Sequence, residues 1–266
     1  MHRNNPIGVF DSGVGGLTVV REIRKILPSE DIVYFGDTAR VPYGNKTKKT
    51  ITKFSIENVE FLLRHNVKLV VIACNTSSSL SLGFLKRCFR VPILGVIEPG
   101  ARRAARVTRN GRIGIIGTKA TVESAAYTKE MQRLDPDIRC FSKACPLFVP
   151  LVEEGWLRHA ITREIAGVYL GELRSKRIDT LILGCTHYPL LKPVLKGILK
   201  RDVAIVDSAK EVALEVNEVL REHGLLRSAG RRRRYRFYVS DDPKRFRRLG
   251  ERFLNMRIDC AMRSSS

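Results

Sequence analysis

Val70-Val71-Ile72-Ala73-Cys74-Asn75-Thr76 and Leu181-Ile182-Leu183-Gly184-Cys185-Thr186-His187 are two versions of one arrangement. In each, a short apolar run ends at a cysteine, and Thr-containing polar residues then lead into a helical pattern. Such a run reads as a strand of a parallel sheet, buried on both faces. Each thiol then stands at a strand's carboxyl end, the edge where open α/β sheets bind their ligands. Two thiols converging on one small molecule could act as two acid/base groups, one for each face of a substrate carbon.

Outward from these runs the same alternation continues. Ile7–Phe10, Asp31–Phe35, Lys68–Ala73 and Pro92–Val96 read as strands. Between them, 3.6-residue periodicity marks helices beginning at Leu17, over 47–64 and over 77–87. The rhythm restarts with strands at Arg112–Ile116, Ile138–Phe141, Thr180–Leu183 and Val203–Val206. Helices are expected over 122–134, 159–175 (Ile161, Ile165, Val168 and Leu173 apolar), 189–199 and 209–220. A last strand, Arg236–Val239, and a last helix, Pro243–Leu254, close the chain. Ile7-Gly8-Val9-Phe10 resembles Ile113-Gly114-Ile115-Ile116 at an offset of 106, and the two cysteines lie 111 apart. The expectation is an α/β protein of two pseudo-symmetric domains, each on a central parallel sheet, with the site in the cleft between them. The boundaries expected are 1–97 with 207–266 for the first domain and 98–206 for the second.

Composition narrows the class. At 266 residues and 44% hydrophobic content the chain can bury sizeable cores. Its apolar runs are far too short to span a bilayer, and its first residues lack the apolar stretch of a signal peptide, so a cytoplasmic protein without membrane contact is expected. Six cysteines without Cys-x-x-Cys spacing, and only five histidines, point away from a disulfide scaffold and from a metal site. The net charge is +21, and residues 227–266 alone carry 13 Lys/Arg against 4 Asp/Glu, with an unbroken run at Arg231–Arg234. Basic charge can neutralise phosphates, but no nucleic-acid-binding motif accompanies it; a solvated face that attracts anionic metabolites is the simpler reading.

Further polar groups fall at the same sheet edges. Asp11-Ser12-Gly13-Val14-Gly15-Gly16 follows the first strand and opens a helix, where backbone N–H groups can hold an anion. It is not the dinucleotide fingerprint, because Thr18 stands where a third glycine would fall. Asp11 either caps the turn or orients an acid/base partner. Gly36–Gly44 is a punctuated loop that places Tyr43 and Gly44 near a ligand or is an ordinary connection. Asn75, Thr76, Thr186 and His187 put donors beside the thiols at helix N-termini, which favours a thiolate and a bound carboxylate. Glu153, in Pro150–Gly155, either orients His187 or faces solvent. Cys88, Cys140, Cys145 and Cys260 read as inert core thiols.

At Asp11–Val19, Gly36–Gly44, Ala73–Thr76, Pro150–Gly155 and Leu183–Leu191 the chain resembles the glutamate racemases of the aspartate/glutamate racemase family. Five motifs match in order and spacing, over about Pro6 to Leu220. The resemblance implies cofactor-independent interconversion of L- and D-glutamate for peptidoglycan synthesis. It implies Cys74 and Cys185 as the acid/base pair, with Asp11, Glu153 and His187 as supporting ionisable groups. Substrate contacts would come from Asp11, Ser12, Tyr43, Gly44, Asn75, Thr76, Thr186 and His187, with Thr118 and Thr121 adding to them. Cys74 would deprotonate the D-isomer and Cys185 the L-isomer. A homodimer is implied as well. Some relatives are reported to affect DNA gyrase, for which this sequence offers no motif. The alternatives are an aspartate or hydantoin racemase of the same superfamily, or a basic regulatory or nucleic-acid-binding protein on this fold. The Thr186-His187-Tyr188-Pro189 continuation favours glutamate. Residues 227–266 match the family only loosely.

Overall fold

The structure, a computed structural model, describes residues 2–199, 201–228, 233–258 and 261–263. Among the described residues ten strands lie in chain order: β1 Ile7–Asp11, β2 Ile32–Gly36, β3 Leu69–Ile72, β4 Ile93–Gly95, β5 Arg112–Gly117, β6 Arg139–Ala144, β7 Thr180–Gly184, β8 Ala204–Asp207, β9 Tyr235–Val239 and β10 Ala261–Arg263. They form two sheets, ordered β10-β9-β2-β1-β3-β4 and β6-β5-β7-β8. Every ladder among the described residues is parallel. The continuous apolar runs explain this, since β1, β2, β3 and β7 are buried at every position and need cover on both faces.

The helices are α1 Leu17–Ile26, α2 Lys48–Leu63, α3 Asn75–Cys88, α4 Ile97–Val107, α5 Lys119–Glu123, α6 Ala126–Leu134, α7 Phe148–Glu153, α8 Ala160–Ser175, α9 Lys192–Ile198, α10 Ser208–Glu222 and α11 Pro243–Leu254. The four-strand orders β2-β1-β3-β4 and β6-β5-β7-β8 are the same path drawn twice. That equivalence pairs β1 with β5 and β3 with β7, which is the relation the sequence offsets suggest. Each sheet therefore contributes a cysteine just beyond the carboxyl end of its corresponding strand.

Several elements differ from expectation, each for a local reason. The helix expected over 122–134 is two helices, parted at Ala125, which adopts left-handed backbone (φ 53°). The helix expected from Pro189 begins as a 3-10 turn, Tyr188–Leu191, before α9. On α8 the buried residues are Thr162, Ala166, Leu170 and Leu173, while Ile161 and Val168 face outward, Val168 at 76% exposure. Thr162 donates to the Trp156 carbonyl at 2.6 Å, which pins the first turn of the helix with Thr162 inward. α4, absent from the periodicity, carries Pro99 and Gly100 near its start. Proline is tolerated in a first turn, and a Cβ on Gly100 would lie only 3.1 Å from Ser208 Cβ at the start of α10.

The basic tail is part of the first sheet. β9 pairs with β2 from Ile32↔Tyr235 to Gly36↔Val239, and α11 buries Phe246, Leu249, Phe253 and Leu254. Of the basic run, Arg231 and Arg232 lie outside the described residues, as does Cys260. At the amino ends of the strands, Lys68 is fully buried and donates to Glu30 Oε2 at 2.5 Å and to the Leu225 carbonyl at 2.9 Å. Those contacts lock that end of the sheet and leave the carboxyl ends to form the site. Among the described residues no helix is long and apolar enough to cross a membrane.

Candidate active site

The carboxyl ends of both sheets open onto one small cavity. Its walls are Ser12, Val41, Pro42, Tyr43, Gly44, Cys74, Asn75 and Thr76 from the side of the first sheet, and Thr118, Val149, Cys185, Thr186 and His187 from the second. The cavity measures about 30 Å³. A water needs roughly 10–15 Å³ on this measure, so the space suits about two waters. A larger hollow of about 240 Å³ adjoins it, sharing Val41, Pro42, Gly44, Thr118 and Val149, and leads outward past Glu153, Glu154 and Arg245. Both cysteines are free thiols.

Cys74 caps α3 with extended backbone (ψ 119°), which turns its side chain off the end of β3. Its sulfur donates to Ser12 Oγ at 3.7 Å. The expectation that a helix N-terminus would lower this thiol is not met. Burial dominates, the Asp11 carboxylate adds to it, and the thiol is pushed up to about 12. Cys74 is therefore a protonated donor at rest. Asp11 is fully buried behind the cavity wall. Its Oδ2 accepts from the Gly13 amide at 3.1 Å and its Oδ1 from Thr186 Oγ1 at 3.4 Å. Burial lifts it above its usual 3.8, opposed by the charge of His187 and by the Gly16 and Gly13 amides.

Cys185 has a different neighbour. Its sulfur lies 3.9 Å from His187 Nδ1, and His187 Nε2 lies 3.2 Å from Glu153 Oε1. Burial alone would discharge the imidazole, but the hydrogen bonds and charges of Cys185 and Glu153 outweigh it and hold His187 at about 10. Glu153 answers in kind. Burial would raise it, yet the hydrogen bond and charge of His187, together with Arg245, keep it below its usual 4.5. His187 thus stands beside one thiol and the buried Asp11 carboxyl beside the other.

The remaining wall is held from behind. Tyr127 donates to Asn75 Oδ1 at 2.8 Å, which fixes the amide's orientation. Thr76 Oγ1 meets Thr118 Oγ1 at 2.9 Å and Thr121 Oγ1 at 3.3 Å, so Thr121 backs the wall without lining it. Tyr43 donates to the buried Asp37 and accepts from Asn58 Nδ2 at 3.1 Å, which seats the Gly36–Gly44 loop. Among the described residues no three His, Cys, Asp or Glu side chains group so as to hold a metal ion.

A family model described as Asp/Glu/Hydantoin racemase matches residues 7–216. The chain belongs to this family. A glutamate racemase of Geobacter metallireducens is 52% identical over 252 residues, 95% of this chain and 93% of that one. A crystal structure of glutamate racemase from Francisella tularensis in complex with D-glutamate superposes with TM-score 0.93 at 40% identity, covering 99% and 98% of the two chains. An aspartate racemase of Picrophilus torridus covers 83% of this chain at TM-score 0.57 and 19% identity, a likeness of fold alone.

In this racemase-family chain the structure gathers Ser12, Tyr43, Gly44, Cys74, Asn75, Thr76, Thr118, Cys185, Thr186 and His187 around one cavity. Asp11, Thr121 and Glu153 stand one contact behind. Sequence reasoning missed Val41, Pro42 and Val149, although all three lie inside or beside quoted motifs. It also missed Tyr127, Asp37, and the α11 residues Arg245 and Phe253; Phe253 meets the His187 ring edge-on at 5.3 Å.

The charge arrangement has a stability consequence at high pH. His187 is raised from 6.5 in the unfolded chain to about 10. Its stabilisation is complete below 6.5 and is lost as pH rises through 10. Cys74, raised from 9.0 to about 12, acts in the same direction at higher pH. The urea midpoint should therefore fall steadily between pH 6.5 and 10, and His187→Gln should flatten that slope. A midpoint constant over this range would show that His187 is not held charged.

Proposed function

We propose that this chain is a glutamate racemase that moves the α-proton between Cys185 on one face of the substrate and Cys74 on the other. The observation that carries this reading is the small cavity lined by one free thiol from beyond each sheet. The Geobacter and Francisella relatives support glutamate as the substrate.

With L-glutamate bound, the Cys185 thiolate takes the α-proton and the substrate becomes an enolate-like carbanion. The Cys74 thiol then gives its proton to the opposite face. The product is D-glutamate, with Cys185 protonated and Cys74 left as thiolate; the reverse direction begins from that state. His187 stands beside Cys185, its Nδ1 3.9 Å from the sulfur, and Ser12 hydrogen-bonds Cys74. Charge building on the α-carboxylate needs fixed donors in a site without bulk water. Asn75, its carbonyl engaged by Tyr127, offers its amide N–H group; Thr76, Thr186 and the first amides of α3 complete the set. In this reading glutamate enters as the two halves part, 1–97 with 207–266 on one side and 98–206 on the other.

L-Glutamate incubated in D₂O with the protein and no added cofactor should lose optical rotation and gain α-deuterium together. L-Aspartate should turn over far more slowly. Faster turnover of aspartate would assign the chain to the aspartate branch, and exchange of neither substrate would end the racemase reading. The D-glutamate formed would supply peptidoglycan synthesis in the cytoplasm. The homodimer that the resemblance implies is tested by sedimentation.

A further inference from the structure

We propose that Arg245 is a positioning residue for the reaction: from α11 it clamps Glu153, and through Glu153 it holds His187 against Cys185. The proposal rests on the two-thiol reading of the cavity. Glu153 uses its two oxygens for two partners. Oε1 meets His187 Nε2 at 3.2 Å, and Oε2 meets Arg245 Nη2 at 3.4 Å. The same guanidinium lies 3.6 Å from Glu154 Oε1. The carboxylate cannot rotate without leaving one of them.

The clamp joins parts that come from opposite sides of the cleft. α11 packs on α1 and β9 of the first sheet, whereas α7 carries Glu153 beside the Tyr188–Leu191 turn that follows β7 of the second. Arg245 lines the hollow of about 240 Å³ outside the cavity and also a second one of about 210 Å³, walled by Gly13, Val41, Glu153 and Phe246. At 47% exposure its side chain is too open to be a packing residue, and an open ion pair of this kind contributes little to global stability. Its effect is local, because the carboxylate it holds is only 17% exposed and bonds a buried histidine. A second residue of the same helix acts on the same group, since Phe253 presses its ring against His187. Residues 227–266, loosely matched to the family, thus supply the outer support of the Cys185 side.

Loss of the clamp should raise the barrier for proton transfer at Cys185 and leave that at Cys74 unchanged. L- and D-glutamate have equal free energies in water, so kcat/KM must fall equally in both directions. The asymmetry appears instead in isotope effects. Arg245→Met should lower kcat/KM by about three- to tenfold. It should raise the primary isotope effect with α-deuterated L-glutamate, whose proton goes to Cys185, and lower that with α-deuterated D-glutamate. Arg245→Lys should restore most of the rate and both isotope effects. A substrate-free readout stands beside these: the imidazole N–H of His187 should exchange with solvent faster in Arg245→Met than in wild type, and return towards wild type in Arg245→Lys. Unchanged isotope effects together with unchanged imidazole exchange, or a loss that lysine does not recover, overturns the proposal. A wild-type protein inactive on glutamate strikes the functional reading alone, because the exchange measurement still decides whether Arg245 holds the Glu153–His187 pair.

Discussion

Cys74→Ala and Cys185→Ala should each lower racemisation of glutamate by about 10³-fold, in the middle of the range for losing a positioned acid or base. The two losses should not add in a double variant, because either one already interrupts the transfer from face to face. The neighbours of the thiols make the serine variants more informative. Cys185 keeps its imidazolium partner when Cys74 is changed to serine, and it can still remove the α-proton of L-glutamate. Its own proton exchanges with solvent, so it returns deuterium to the same face. Cys74→Ser should therefore exchange the α-proton of L-glutamate in D₂O while forming little D-glutamate. Cys185→Ser should exchange the D-isomer more slowly, because its remaining thiol is buried beside Asp11 and pushed up to about 12. Proton NMR of the α-position, read with a chiral assay, separates exchange from inversion. Wild-type turnover in either alanine variant would rule out two-thiol chemistry.

The legible part of the molecule is what short-range pattern controls. The runs at Val70–Thr76 and Leu181–His187 announce buried parallel strands because both of their faces are apolar, and the thiols follow at the edge where such sheets bind ligands. The offsets of 106 and 111 correspond to real equivalence, since the two sheets share one strand order. The sequence is silent where long-range packing decides. Nothing local marks Arg245, one of several basic residues on the last helix, as the partner of a glutamate 92 positions earlier. Tyr127 and Asp37 likewise matter through what they touch across the fold. The electrostatic expectation for Cys74 fails for a related reason. A helix N-terminus is visible in sequence, but complete burial and the Asp11 carboxylate are not, and these dominate.

The glycine-rich turn after β1 leads to the second large effect. Its composition suggests amides that hold an anion, yet the structure gives Gly15 another task. Its backbone is not in the left-handed region, so conformation alone does not demand glycine. Space does. A Cβ there would lie 2.5 Å from His187 Nδ1 and 2.7 Å from His187 Cε1, and would overlap Thr186 Oγ1 as well. Both neighbours are held by other contacts. Thr186 is hydrogen-bonded to Asp11, and His187 is fixed between Glu153 and the Phe253 ring. Gly15→Ala must therefore displace the imidazole from Cys185 by the better part of an ångström, and misplacement on that scale costs about 10²-fold in rate. Gly13→Ala is the matched control in the same turn, because the nearest atom to its Cβ is Val41 Cγ2 at an ordinary 3.6 Å. Its kcat/KM should stay within about threefold of wild type. Equal kcat/KM values for the two alanine variants would show that the contact between Gly15 and the Thr186–His187 edge does not set the geometry of the Cys185 side.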